Sequence, residues 1–62
     1  MKFEELKKGD VFTLTAGDTF IVTNVYHCSV RCKLVSGNPS IVKNYDDTYT
    51  VLFYNNKIKH LI

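Results

Sequence analysis

Val11-Phe12-Thr13-Leu14-Thr15, then Ala16-Gly17-Asp18, then Thr19-Phe20-Ile21-Val22-Thr23-Asn24-Val25-Tyr26 set the rhythm of this chain. Apolar and polar residues alternate, and turn residues interrupt them at intervals of about eight to twelve positions, the spacing of a small all-β domain. In the first run Phe12 and Leu14 fall on one side and Thr13 and Thr15 on the other, because successive side chains of a strand point to opposite faces. Ala16-Gly17-Asp18 reads as a hairpin connection. The second run, Thr19 to Tyr26, is rich in β-branched and aromatic residues, which suit a half-buried pleated surface. Phe20 and Val22 share one face, whereas Ile21 and Val25 share the other. This change of parity predicts a bulge or sharp bend at Thr23-Asn24.

Working outward, His27-Cys28-Ser29 is a turn, and Val30 to Val35 gives the clearest alternation in the chain, with Val30, Cys32 and Leu34 inward and Arg31 and Lys33 outward. Ser36-Gly37-Asn38-Pro39 is a strong turn signal. A fourth strand, Ile41 to Asn44, follows; a loop over Ser36–Ser40 sets Val42 opposite Leu34 and Lys43 opposite Lys33. Tyr45-Asp46-Asp47-Thr48 is a polar break that fits a short 3₁₀ turn, and Tyr49 to Tyr54 is a fifth strand. Asn55-Asn56 suits a two-residue hairpin leading to a sixth strand, Lys57 to Ile62. That register pairs Phe53 with Ile58 and Val51 with His60. Towards the start, Phe3 and Leu6 share a face of one helical turn and would cap one open end of a barrel. Lys7-Lys8-Gly9-Asp10 is a turn. Five or six short strands in meander order thus form one domain over residues 1–62, and closure into a barrel removes open edges.

The chain has 62 residues, of which 45% are hydrophobic and 23% charged, which is too apolar for disorder. A domain of this size buries only about 60% of its unfolded surface, and its core supplies about 3–5 kcal/mol. An enclosed catalytic pocket has little room; shallow binding surfaces are the expectation. A net charge of +2 is weaker than the basic bias usual in nucleic-acid binders. Two glutamates follow Phe3 before any apolar run forms, so neither a signal peptide nor a membrane anchor is expected. A cytoplasmic location, with Cys28 and Cys32 reduced, is the corollary.

Phe3-Glu4-Glu5-Leu6-Lys7-Lys8-Gly9-Asp10-Val11-Phe12, followed by Gly17-Asp18-Thr19-Phe20-Ile21-Val22-Thr23, resembles small SH3-like β-barrel proteins of bacteriophages and mobile elements. Their opening is an aromatic, then Leu, then Gly-Asp leading into the first strand, with an aromatic-apolar-Val strand after it. The resemblance covers about the first half of the chain. It implies an SH3-like barrel of five to six antiparallel strands with one N-terminal helical turn, and an accessory protein that binds and modulates a host protein in the host cytoplasm. The polyproline groove of signalling SH3 domains has no counterpart here, and the chain contains no Trp.

Several constellations invite a chemical reading. Arg31, Lys33 and Lys43 would lie on adjacent strands with Tyr45 opposite Arg31; cations beside an aromatic grip phosphates and stack bases, yet such a face also serves solubility alone. Tyr26, Tyr45, Tyr49 and Tyr54 lie near strand ends or loops, where tyrosines make interface anchors. His27, Cys28, Cys32 and His60 are metal-ligand types, but Cys28 and Cys32 flank a turn into a strand, and Cys32 has inward parity. No metal, cofactor or disulfide is therefore expected. Asp46-Asp47 is ordinary turn chemistry, and no enzymatic activity is expected. The reading is a non-enzymatic module whose partner-binding residues are Tyr26, Arg31, Lys33, Lys43, Tyr45, Tyr49 and Tyr54. Nucleic-acid binding through Arg31, Lys33, Lys43 and Tyr45 is one alternative. The other is a structural subunit forming a homodimer through strand 57–62.

Overall fold

The computed structural model describes residues 3–55 and 57–61. A 3₁₀ turn, Phe3–Glu5, precedes five strands: β1 (Val11–Leu14), β2 (Thr19–Val25), β3 (Ser29–Ser36), β4 (Tyr49–Leu52) and β5 (Ile58–Leu61), with a second 3₁₀ turn, Phe53–Asn55, between the last two. All pairings are antiparallel, in the order β4-β3-β2-β1-β5. The sheet curls into an open half-barrel, the general shape of an SH3-like small β fold.

Alternation explains the core. Phe12 and Leu14 of β1, Phe20 and Val22 of β2, Val30 and Cys32 of β3, and Tyr49 and Val51 of β4 are buried. Phe12 faces Phe20 across β1–β2, and Cys32 faces Tyr49 across β3–β4. Such cross-strand pairs are the unit of sheet stability. Phe3 and Leu6 close one end, and both are buried; the Leu6 N–H donates to the Phe3 carbonyl at 3.0 Å. An aromatic chain runs through the interior. Phe53 stacks on Phe3 (5.0 Å, 17°), Phe3 meets Phe12 edge-on (6.0 Å), and Phe12 and Phe20 lie 5.8 Å apart. Phe20 then meets the Tyr49 ring at 5.6 Å.

The bend expected at Thr23-Asn24 is present. The β2–β3 register shifts between Val22 and Asn24, and the Thr23 hydroxyl donates to the Arg31 carbonyl at 3.0 Å.

The second half of the chain departs from the sequence reading. Ile41–Asn44 is not a strand; β3 pairs with Tyr49–Leu52 instead. Pairing with β4 buries an aromatic and a valine, whereas Val42 is 87% exposed and only Ile41 of that segment packs on the core. Val42 therefore does not face Leu34, nor Lys43 face Lys33. Leu34, expected inward, is 36% exposed, because it lies beyond the reach of β4. The strand expected to reach Tyr54 stops at Leu52, since the 3₁₀ turn at Phe53 brings that ring onto Phe3. The hairpin pairing Phe53 with Ile58 and Val51 with His60 does not form; its Asn56 lies outside the described residues. β5 crosses to the far edge and pairs with β1, as Phe12↔Leu61, Thr13↔His60 and Leu14↔Ile58. The order is thus a four-strand meander with a fifth strand added beside the first, not a six-strand meander. In the expected strand 57–62, residues 58–61 are extended and Ile62 lies outside the described residues.

Candidate functional site

The outer surface of β3 and the loop joining it to β4 gather most of the polar chemistry. Arg31 is placed by the β2 bulge, where Asn24 becomes its cross-strand neighbour. On the other side it faces Thr50, not Tyr45. Its guanidinium carbon lies 5.8 Å from the centre of the Tyr26 ring, a cation–π distance. Nη1 is 3.8 Å from the Asp46 carboxylate, too long for a hydrogen bond. Nε is buried and has no hydrogen-bond partner among the described residues.

Asp46 is held more firmly from within its own loop. The Thr48 hydroxyl donates to Oδ1 at 2.6 Å, and the Thr48 N–H donates to the same oxygen at 3.3 Å. The hydroxyl bond, foremost, keeps the carboxyl below its ordinary value of 3.8; desolvation opposes it, and the Thr48 N–H and the Arg31 charge reinforce it. Thr48 is itself buried. Asn44 ties the loop to the sheet, its Nδ2 donating to the Thr48 hydroxyl (3.2 Å) and the Thr50 hydroxyl (3.1 Å). Asp47 takes a φ of 66°, a left-handed conformation that Asp tolerates, and lies 3.9 Å from Lys43 Nζ.

Among the sequence-derived candidates, Tyr26, Arg31 and Lys33 lie on or beside β3, while Lys43 and Tyr45 lie in the adjoining loop. Tyr45 is fully exposed. Tyr54 is exposed in the second 3₁₀ turn, whose Phe53 N–H donates to the Cys28 carbonyl of the β2–β3 turn. Tyr49, in contrast, is 6% exposed and is a core residue packed on Phe20. The contributions of Thr23, Asn44, Asp46 and Thr48 escaped the sequence reading. Asp46-x-Thr48 carried a usable signal, since an Asp followed two residues later by an N–H and a hydroxyl is the Asx-turn spacing.

Cys28 and Cys32 carry free thiols, the first exposed and the second buried. Burial pushes the Cys32 thiol up to about 12, and its Sγ lies 3.6 Å from the Tyr49 carbonyl. Among the described residues there is no enclosed cavity, no group of three metal-ligating side chains, and no helix long and apolar enough to cross a membrane. The chain matches no protein-family model, and no curated protein or solved structure shows significant similarity to it.

Proposed function

We propose that this chain is a non-catalytic protein-binding module that works through the outer face of β3 and the Ile41–Thr48 loop. Its biological setting in this reading is that of a phage or mobile-element accessory protein modulating a host protein in the host cytoplasm. The observation that carries the proposal is Arg31. Its guanidinium is lodged against Tyr26, lies beside a carboxylate already bonded to Thr48, and belongs to a side chain that is 41% exposed. Arg and Tyr held in this way are the residue types that anchor protein interfaces. Tyr45, next to Asp46 in the chain, adds exposed aromatic area.

The same geometry weakens the nucleic-acid alternative. Arg31 has Asp46 beside it and Lys43 has Asp47, so the face carries little uncompensated positive charge to release counterions from phosphates.

Quantitative capture from a host lysate tests the proposal. Arg31→Glu combined with Tyr45→Ala should remove a partner that the native chain retains. Retention of that partner by the double variant, or binding only to DNA or RNA with a steep salt dependence, would count against it. A second reading, self-association through β5, is favoured by one observation: among the described residues β5 ends the sheet, with β1 on one side and no strand on the other. A concentration-independent monomer mass in solution would remove that reading.

A further inference from the structure

Arg31 is the only arginine of the chain, and its two polar neighbours hold it without bonding it. The Tyr26 ring lies 5.8 Å from the guanidinium carbon, a contact that orients the planar group but uses none of its N–H donors in the ring plane. Asp46 Oδ2 stands 3.8 Å from Nη1, beyond hydrogen-bond length. Nε is enclosed, so the 41% exposure of the side chain falls on the outer end of the fork, where Nη1 and Nη2 lie.

Asp46 is kept at that distance by its own turn. The Asn44 N–H donates to the Thr48 carbonyl at 2.7 Å and the Asp47 N–H donates to the Asn44 carbonyl at 3.1 Å, which closes residues 44–48 on themselves. Inside that ring the Thr48 hydroxyl grips Oδ1 at 2.6 Å. Asn44 Nδ2 then pins the hydroxyls of Thr48 and Thr50, and Thr50 is the cross-strand neighbour of Arg31. The turn is thus anchored to β4 beside Arg31, while its carboxylate spends its hydrogen bonds on Thr48. Asp46 balances the charge of Arg31 and leaves its outer donors unused by any described residue.

We infer that Arg31 receives an acidic side chain, Asp or Glu, of a partner protein, bound end-on through Nη1 and Nη2, and that Asp46 is a resident counter-charge which Thr48 restrains from taking that place. The inference rests on the protein-binding reading of this face and names the group that the partner brings to it. Two parallel N–H donors match the two oxygens of a planar carboxylate, which makes the bonds that Asp46 does not. Recognition of this kind depends on directed bonds more than on net charge, so the near balance of charge on this face permits it. A phosphate is a poorer fit, because its additional negative charge would stand against Asp46 with Arg31 alone to offset it. The carboxylate at a chain end is also a poorer fit. It arrives with the last residue's side chain, and no cavity among the described residues would receive one.

The probe is N-acetylglutamic acid amide, whose single free acid is the side chain, titrated into the full chain at neutral pH and constant ionic strength. N-acetylglutamine amide is the control. With one arginine in the chain, the Nε–H resonance of Arg31 is unambiguous. The acid should move it, together with the amide signals of Asn24, Tyr26 and Thr50, along a saturating curve, and the glutamine compound should not. Asp46→Asn lets Thr48 keep Oδ1 and sets an amide nitrogen, not an acceptor, towards Arg31; it should tighten binding by about threefold or more. Asp47→Asn makes the same change of charge one residue on, beside Lys43, and should alter binding far less. Thr48→Val should free Asp46 to close on Arg31 and so weaken binding. Arg31→Lys keeps the charge but loses the fork, and should weaken binding too. If Thr48→Val unfolds the chain, the contrast between the two exposed aspartates still decides. The inference is overturned if the acid moves these signals no more than the glutamine compound does, or if Asp46→Asn fails to tighten binding. Tighter binding of inorganic phosphate, or of N-acetylglycine with its chain-end carboxylate, would overturn it as well. Loss of a lysate partner on Arg31→Glu with Tyr45→Ala, without any binding of the acid, would remove this inference and leave the protein-binding reading standing.

Discussion

At the scale of single residues, two thiols four positions apart live in different chemical worlds. Cys28 lies exposed in a turn, and Cys32 is buried on the inner face of β3, opposite Tyr49 of β4. An alkylating reagent at neutral pH should modify Cys28 in the folded chain and reach Cys32 only after denaturation, as mass spectrometry would read directly. The same burial makes stability fall in alkali. The folded thiol titrates at about 12 against an ordinary 9.0, so the folded state keeps a proton that the unfolded state loses. Stability attributable to Cys32 is complete below pH 9 and declines from there towards pH 12, by about 1.4 kcal/mol per unit. Denaturant midpoints measured across that range should show this slope for the native chain, and Cys32→Ala should lack it. Asp46 behaves in the opposite sense. Its carboxyl is held below 3.8, so its contribution is present above that value and disappears as pH falls through the lower folded value. Amide resonances of Asn44–Thr50 should move in that acid range, and Asp46→Asn should abolish the transition. The inward parity of Cys32 was plain in the alternation of β3. The grip of Thr48 on Asp46 was not, because it depends on a loop conformation that periodicity does not encode.

At the scale of elements, the first three strands and the bulge were legible, and the last two pairings were not. β1, the first five residues of β2 and the first half of β3 carry inside-outside alternation, which fixes the strands and most of their register. Ile41-Val42-Lys43-Asn44 carries the same local pattern, yet its burial would have been poorer than that of Tyr49 and Val51. Local propensity could not weigh those competitors. Nor could it foresee that Phe53 would leave a strand to stack on Phe3. The turn at Gly37 offers a test of how firmly the long loop is set. Its φ is 108°, and a Cβ there would stand 2.5 Å from Asp18 Oδ1. Gly37→Ala should therefore destabilise the chain by about 1–3 kcal/mol through left-handed strain and crowding. It should also weaken the bond from the Asn38 N–H to Asp18, seen as faster exchange of that amide. An unchanged denaturation midpoint would mean that the loop rearranges freely around this turn.

For the whole molecule, stability is concentrated in a few rings. Phe12 and Phe20 are both fully buried and lie at the centre of the aromatic chain. Removing a buried phenylalanine ring costs about 3–5 kcal/mol, as much as a core of this size supplies. Phe20→Ala should therefore be largely unfolded at room temperature, with collapsed amide shift dispersion, while Tyr45→Ala should unfold at the native midpoint. The architecture also has a temporal side. Phe12 and Leu61 are neighbours in space but lie 49 positions apart in sequence, and closing so long a loop is entropically slow. During synthesis the meander Val11–Leu52 can zip as it emerges, but Leu14 must wait for Ile58. The first strand therefore keeps one flank bare until Ile58–Leu61 have left the ribosome, and its unpaired backbone groups are open to water for that interval.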